Sequence, residues 1–144
     1  MRHLLLVPAI VALLTAAPAF AEIGRIKSHV GPVSVMRGAS TLTVRPGFEL
    51  EQGDVLITGK GGRAGIAFID DTRFAVGPNS RIAISEFAYD RSRQSGSFVT
   101  SVNRGTLGVV SGRIAKSRRD AMRVRTPTSM LGVRGTKFIV EVPE

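Results

Sequence analysis

Few residues of this 144-residue chain could do chemistry. It has no cysteine and two histidines, His3 and His29. His3 falls in a segment read below as removed, so no His/Cys metal cluster can be assembled, and a nucleophile–base pair is limited to a serine with His29. Carboxylates remain. Asp54, Asp70, Asp71, Glu86 and Asp90 could supply the acid and base of glycoside hydrolysis, which needs two carboxyl groups roughly 5–10 Å apart. Most of them stand beside glycine or in turn signals, where aspartate caps backbone groups. The sequence thus predicts a protein that is not an enzyme and uses no cofactor and no metal.

Basic residues are the other chemical resource. The stretch "GRIAKSRRDAMRVR" holds Arg113, Lys116, Arg118, Arg119, Arg123 and Arg125. Met122 and Val124 alternate with the last two arginines, which puts Arg123 and Arg125 on the outer face of an extended segment. A solvated charged face is the favoured reading. The alternative is an anion-binding ridge.

The elements that must position these groups depend first on the compartment. Arg2 and His3 precede an apolar run from Leu4 to Leu14, and "TAAPAFA" follows. The run is too short for the ~20 residues of a membrane span, and Ala19-Phe20-Ala21 is a small-x-small cleavage site. Residues 1–21 are therefore expected to be a cleavable secretory signal peptide, cut after Ala21, with 22–144 the mature domain. The mature protein is expected to be periplasmic or secreted and not membrane-spanning. Removing 21 of 144 residues leaves 123, enough for one domain with its own core. The formal charge is +9, or +8 without Arg2, which favours anionic partners. Export argues against nucleic acid, leaving an envelope protein, anionic lipid or glycan as the expected partner.

Along residues 22–144 the apolar period is two. Val33 and Val35, Leu42 and Val44, Val55 and Ile57, Ile66 and Phe68, Phe74 and Val76, Ile82 and Ile84 each share a face, and Phe138, Val140 and Val142 form a last strand. Glycine-, proline- and aspartate-rich turn signals separate them at about ten-residue spacing. No window carries the 3.6-residue pattern of an amphipathic helix. The prediction is all-β: a single domain of short antiparallel strands, either a two-sheet sandwich or a rolled, solenoid-like stack. "AGIAFIDDTRFAV" reads as a central hairpin turning at Asp70-Asp71, with an aspartate at positive φ, Phe74 opposite Ala67 and Val76 opposite Gly65. Large facing small suggests a strand packed on both faces.

In order along the chain stand Gly53-Asp54, Thr58-Gly59, the "GPNSR" turn (Gly77, Pro78, Asn79, Ser80 and Arg81), "NRGTLGVV", Thr126-Pro127, and Arg134-Gly135-Thr136 before Phe138. In these motifs, over roughly residues 30–142, the chain resembles the FecR family. It departs from the family's Asp-Gly-Thr pattern at Asp70-Asp71-Thr72. In the namesake arrangement a periplasmic domain follows a membrane helix and relays a signal from an outer-membrane receptor to a sigma factor. With a signal peptide in place of the helix, the resemblance implies a stand-alone exported module for protein binding or envelope sensing. The alternative is a structural envelope protein whose basic face rests on lipid headgroups or glycan.

Arg134 can be weighed on its own residues. Gly132 and Gly135 flank the Val133-Arg134 step, and past Gly135 the residues Phe138, Val140 and Val142 form the inward face of a final strand, so Arg134 is expected where that strand enters the core. A guanidinium there must be paired, and its planar fork suits a carboxylate. Asp54, whose turn travels with this motif in the resembling family, is the expected partner and Glu86 the second choice. Ligand binding by Arg134 is the alternative.

Overall fold

The computed structural model describes residues 21–135 and 137–144. The expected signal peptide lies outside these residues except for Ala21, as does Thr136. Turn residues divide the described chain into twelve strands: β1 (Gly24–Val30), β2 (Val33–Arg37), β3 (Ser40–Thr43), β4 (Phe48–Leu50), β5 (Val55–Thr58), β6 (Arg63–Phe68), β7 (Arg73–Val76), β8 (Arg81–Asp90), β9 (Ser95–Val110), β10 (Met122–Arg125), β11 (Met130–Gly132) and β12 (Lys137–Val142). The all-β prediction holds. The alternatives left open by the spacing merge, because one twelve-stranded sheet curls onto itself to make two layers. In the first layer the order is β4-β1-β6-β7-β9-β12, and in the second β3-β2-β5-β8-β9-β10-β11.

β9 belongs to both layers. Its residues up to Arg104 pair with β8, and those from Gly105 pair with β12. Gly105 has φ +91°, and a Cβ there would collide with Ser80. Glycine is the residue that allows a strand to turn this corner while another backbone touches it.

Alternation drives the layers together. Phe68 and Phe74 point inward from the first, Phe87 and Phe98 from the second, and their rings meet at centroid distances of 4.7–5.7 Å. Edge-to-face and offset contacts of this kind add about 0.5–1.5 kcal/mol per pair beyond the area they bury. Ile26, Leu50, Leu56, Ile82, Leu107 and Ile114 complete a core without measurable solvent contact beyond 1%.

Several expectations are corrected. The sheet is built mainly of short antiparallel strands, as expected, with two exceptions: β9 runs for 16 residues, and β10 lies parallel to it, with Met122 beside Phe98. A parallel neighbour needs a long crossover, and the second half of β9 with a short helix, α1 (Arg113–Ser117), supplies it. That helix was not foreseen, because five residues are too few to show a period. In β5 the core face belongs to Leu56 and Thr58, not to Val55 and Ile57. Pairing decides this, since Leu56 lies between buried Val35 and Ile82.

The β6–β7 hairpin is central, but its register is one residue from expectation. Ile66 opposes Phe74 and Gly65 opposes Ala75. The Phe68 N–H donates to the Thr72 carbonyl (2.9 Å), leaving a three-residue loop with Asp71 at φ +71°. A three-residue hairpin loop ends on a residue in the left-handed region, so the second aspartate takes the place glycine usually holds. One face of the hairpin is buried and the other, with Arg63, Arg73 and Ala75, is exposed, so it is not packed on both faces.

Candidate functional site

Four of the five carboxylates considered for catalysis are bound to other tasks. Asp54 is fully buried at the start of β5. Arg37, at the end of the neighbouring β2, grips it bidentately (Nε–Oδ1 2.9 Å, Nη2–Oδ2 2.8 Å), and the Glu51 N–H donates to the same carboxylate. Arg37 Nε also lies 3.3 Å from Glu51, and its guanidinium sits 5.6 Å from the Phe48 ring centroid. The hydrogen bond to Asp54 raises the Arg37 guanidinium above its usual pKa. Gly53 has the positive φ (+90°) that the third position of this turn requires, and the Asp54 N–H closes it on the Glu51 carbonyl.

Asp70 is likewise buried, but it serves a helix. Its carboxylate accepts from Thr72 N–H (3.1 Å), Thr72 Oγ1 (2.8 Å) and Ile114 N–H (3.2 Å), and its backbone carbonyl accepts from Arg113 N–H (2.7 Å). Thr72 Oγ1 also accepts from Gly112 N–H (3.2 Å). The hairpin loop therefore caps α1 from a distant part of the chain, supplying both acceptors and the negative charge that a helix N-terminus favours. Exposed Asp71 pairs with Arg113 Nε at 2.8 Å. Asp90 accepts from the Ser92 hydroxyl and from the Ser92 and Arg93 amides, chiefly the Ser92 bond holding its carboxyl below the usual aspartate range. Glu86 is exposed. No serine bonds His29 among the described residues, and no group of three His, Cys, Asp or Glu there could hold a metal.

The "GPNSR" turn joins three strands. Thr58 Oγ1 donates to the Gly77 carbonyl (2.6 Å) and accepts from Ser80 N–H (2.9 Å), and Ser80 Oγ accepts from Thr106 N–H (3.0 Å). Asn79 adopts φ +52°, a conformation its short polar side chain tolerates. Pro78 and Arg81 are half-buried beside it.

Arg134 is corrected. It is exposed and makes no ion pair among the described residues, and its expected partner Asp54 belongs to Arg37. The strand does not carry Arg134 into the core because β12 begins only at Lys137, and in the loop before it Val133 is the residue that enters the core. The loop is tied on both sides of Arg134: Val133 N–H donates to the Met122 carbonyl (2.9 Å), and the Ser111 hydroxyl donates to the Gly135 carbonyl.

The expected basic ridge divides. Lys116, Arg118 and Arg119 line a basin of about 340 Å³ together with Arg134 and Gly135. Lys116 also borders an adjoining cavity of about 690 Å³ with Arg73, Arg93 and the Asp71–Arg113 pair. Arg123 and Arg125 stand apart on β10, Arg123 half-buried with an unpaired Nε and Arg125 exposed, while Met122 and Val124 are in the core.

Sequence reasoning missed a second surface, on the outer face of the first layer. Strand pairing aligns Ser28, Gly65, Ala75, Gly108 and Ile139 in one row across β1, β6, β7, β9 and β12. The row forms a trough of about 600 Å³ where Ala75, Gly108, Val110 and Ile139 meet. Ile139 is 74% exposed, and Val110 40%. Arg73 and Lys137 stand at its edge, with Arg63 and Lys27 beside the adjoining hollows. Gly108 does not have a positive φ, and a Cβ there would meet only Ala75, at an ordinary 3.5 Å. Neither backbone nor packing demands glycine at this position, so its effect is to keep the trough open. Such a surface leaves no sequence mark, since its members come from five separate strands.

In comparison with known proteins, residues 54–144 match the model of a family described as FecR protein, well over half of the chain. The match begins at Asp54 and so takes in β5–β12, while β1–β4 complete the same sheet outside it. No curated protein and no solved structure matches the chain.

Proposed function

The chain belongs to the FecR protein family, and on that premise we propose that it is an exported, non-catalytic module that senses or signals in the cell envelope by binding another protein in the trough. A family of envelope signalling supports the class of role, and the trough is the observation that carries the reading. A contiguous apolar surface on an otherwise strongly charged molecule is the usual mark of an interaction site. Its small residues would let a partner's backbone come close, while Ile139 and Val110 offer apolar anchors.

Charge selects the partner. Arg73, Lys137, Arg63 and Lys27 suit an apolar segment flanked by Asp or Glu. A second copy of this chain would bring basic rim against basic rim, so self-association is disfavoured. Export is part of the same proposal: mass spectrometry should find Ala21 and everything before it removed from the purified protein.

Two variants test the site. Ile139→Asp removes the anchor, and Gly108→Leu fills the trough from a position where a side chain has room. Both should retain the wild-type melting temperature to within a few degrees and lose a stoichiometric protein partner in pull-downs from envelope extract. Unchanged capture by both variants would refute the trough, and recovery of glycan or lipid alone would support the structural alternative.

A further inference from the structure

Four cationic side chains surround the basin at the C-terminal end of α1: Lys116, Arg118 and Arg119 from one segment and Arg134 from another fifteen residues later. We propose that this basin binds a phosphate-class oxyanion, a phosphate monoester or pyrophosphate group, independently of the trough.

A solvated ridge would spread like charges apart, and this fold does the opposite. No carboxylate lines the basin, and Lys116, Arg119 and Arg134 make no ion pair among the described residues. Arg118 has only a long 3.4 Å hydrogen bond to the Gly96 carbonyl. Of the neighbouring acids, Asp71 is taken by Arg113, and Asp120, though next to Arg119 in sequence, does not line the basin and has its Oδ1 beside Gly132. Converging cations that the protein itself does not neutralise raise the local potential and concentrate anions.

The backbones beneath these charges are fixed. Asp70 and Thr72 cap α1, and Ile114 and Ala115 are buried, which anchors the helix that carries Lys116, while buried Ala121 ends the turn of Arg118 and Arg119 with its N–H directed at the Arg118 carbonyl (3.4 Å). Arg134 hangs between the tethered Val133 and Gly135. A Cβ on Gly135 would meet no atom within 4 Å, so the space beside it is open. Ordering cost on binding is thereby confined to side chains. A volume of about 340 Å³ is at the small end of ligand sites, roughly 300–1,000 Å³. It suits a compact, doubly charged group, whose oxygens match the bidentate fork of arginine.

Inorganic pyrophosphate titrated into the mature protein by calorimetry provides the test. Arg119→Gln and Arg134→Gln should each weaken binding about tenfold or more, and the Arg45→Gln and Arg91→Gln variants, which remove the same charge at exposed sites elsewhere, less than about twofold. All four should keep the wild-type melting temperature. No heat at about 10 mM pyrophosphate, a concentration at which even a millimolar site is filled, would overturn the proposal, as would equal weakening in all four variants. Vesicles containing phosphatidic acid, whose headgroup is a phosphate monoester, and vesicles of phosphatidylcholine alone separate the sources. Cosedimentation with the anionic vesicles alone, lost in the basin variants, identifies a lipid headgroup, whereas pyrophosphate binding without cosedimentation identifies a soluble phosphate compound.

Discussion

Two arginines exchange the roles that sequence alone assigns. Arg37, outside every motif quoted for the family resemblance, holds the buried carboxylate of Asp54, while Arg134, inside a motif, is exposed. Breaking a buried ion pair costs roughly 3–5 kcal/mol, and partial exposure of the Arg37 side chain (35%) reduces that by screening. Arg37→Ala should therefore destabilise by about 2–3 kcal/mol, read from denaturant unfolding, because Asp54 is left buried with little compensation. Arg134→Ala should stay within about 0.5 kcal/mol of wild type. At the β8–β9 tip, Asp90 has a depressed folded pKa, so its stabilisation is present above the ordinary value of 3.8 and is lost as pH falls through the folded value. The Ser92 amide, followed by NMR, should titrate with an apparent pKa below 3.8, and in Asp90→Asn that titration should vanish.

At the scale of elements, α1 is the piece that depends most on distant help. Five residues cannot hold a helix by propensity, since nucleation is unfavourable and few internal bonds follow. Asp70 and Thr72 provide the cap, and burial of Ile114 holds the first turn to the core. Asp70→Ala should cost about 2–3 kcal/mol, because amides of Thr72 and Ile114 lose their acceptor in a buried place. Asp71→Asn, which keeps a residue that tolerates the positive φ and removes only an exposed pair with Arg113, should cost less than about 1 kcal/mol. Equal costs would mean that the cap does not hold the helix. Because α1 carries Lys116, Asp70→Ala should also weaken pyrophosphate binding, whereas Asp71→Asn should not.

For the whole molecule, stability comes from one core between two layers of the same sheet, with no disulfide and, on the chemistry of the described residues, no metal cluster. Asp54, Asp70, Asp71 and Asp90 serve backbone amides, hydroxyls and arginines. Chelator should accordingly leave the melting temperature unchanged, and a loss of several degrees would show that turn aspartates bind calcium. The two exposed surfaces respond to salt differently. Retention at the basic basin should fall steeply with ionic strength, as screening shortens to about 8 Å at 0.15 M, while burial of Ile139 by a partner should be far less sensitive.

What sequence determined by itself was the strand content, the turn positions, the aspartate at positive φ in the β6–β7 loop and the family, because period-two alternation and turn chemistry are local properties. The inward alternation of Met122 and Val124 was legible for the same reason. Only tertiary structure decided that Leu56, not Ile57, faces the core, that Asp54 belongs to Arg37, that Asp70 caps a helix forty-odd residues later, and that Arg134 joins Lys116, Arg118 and Arg119. Each of these depends on which strand lies beside which. A one-residue change of register or an early end to a strand reverses the face on which every side chain falls, and neighbour choice is set by long-range packing that no local pattern encodes.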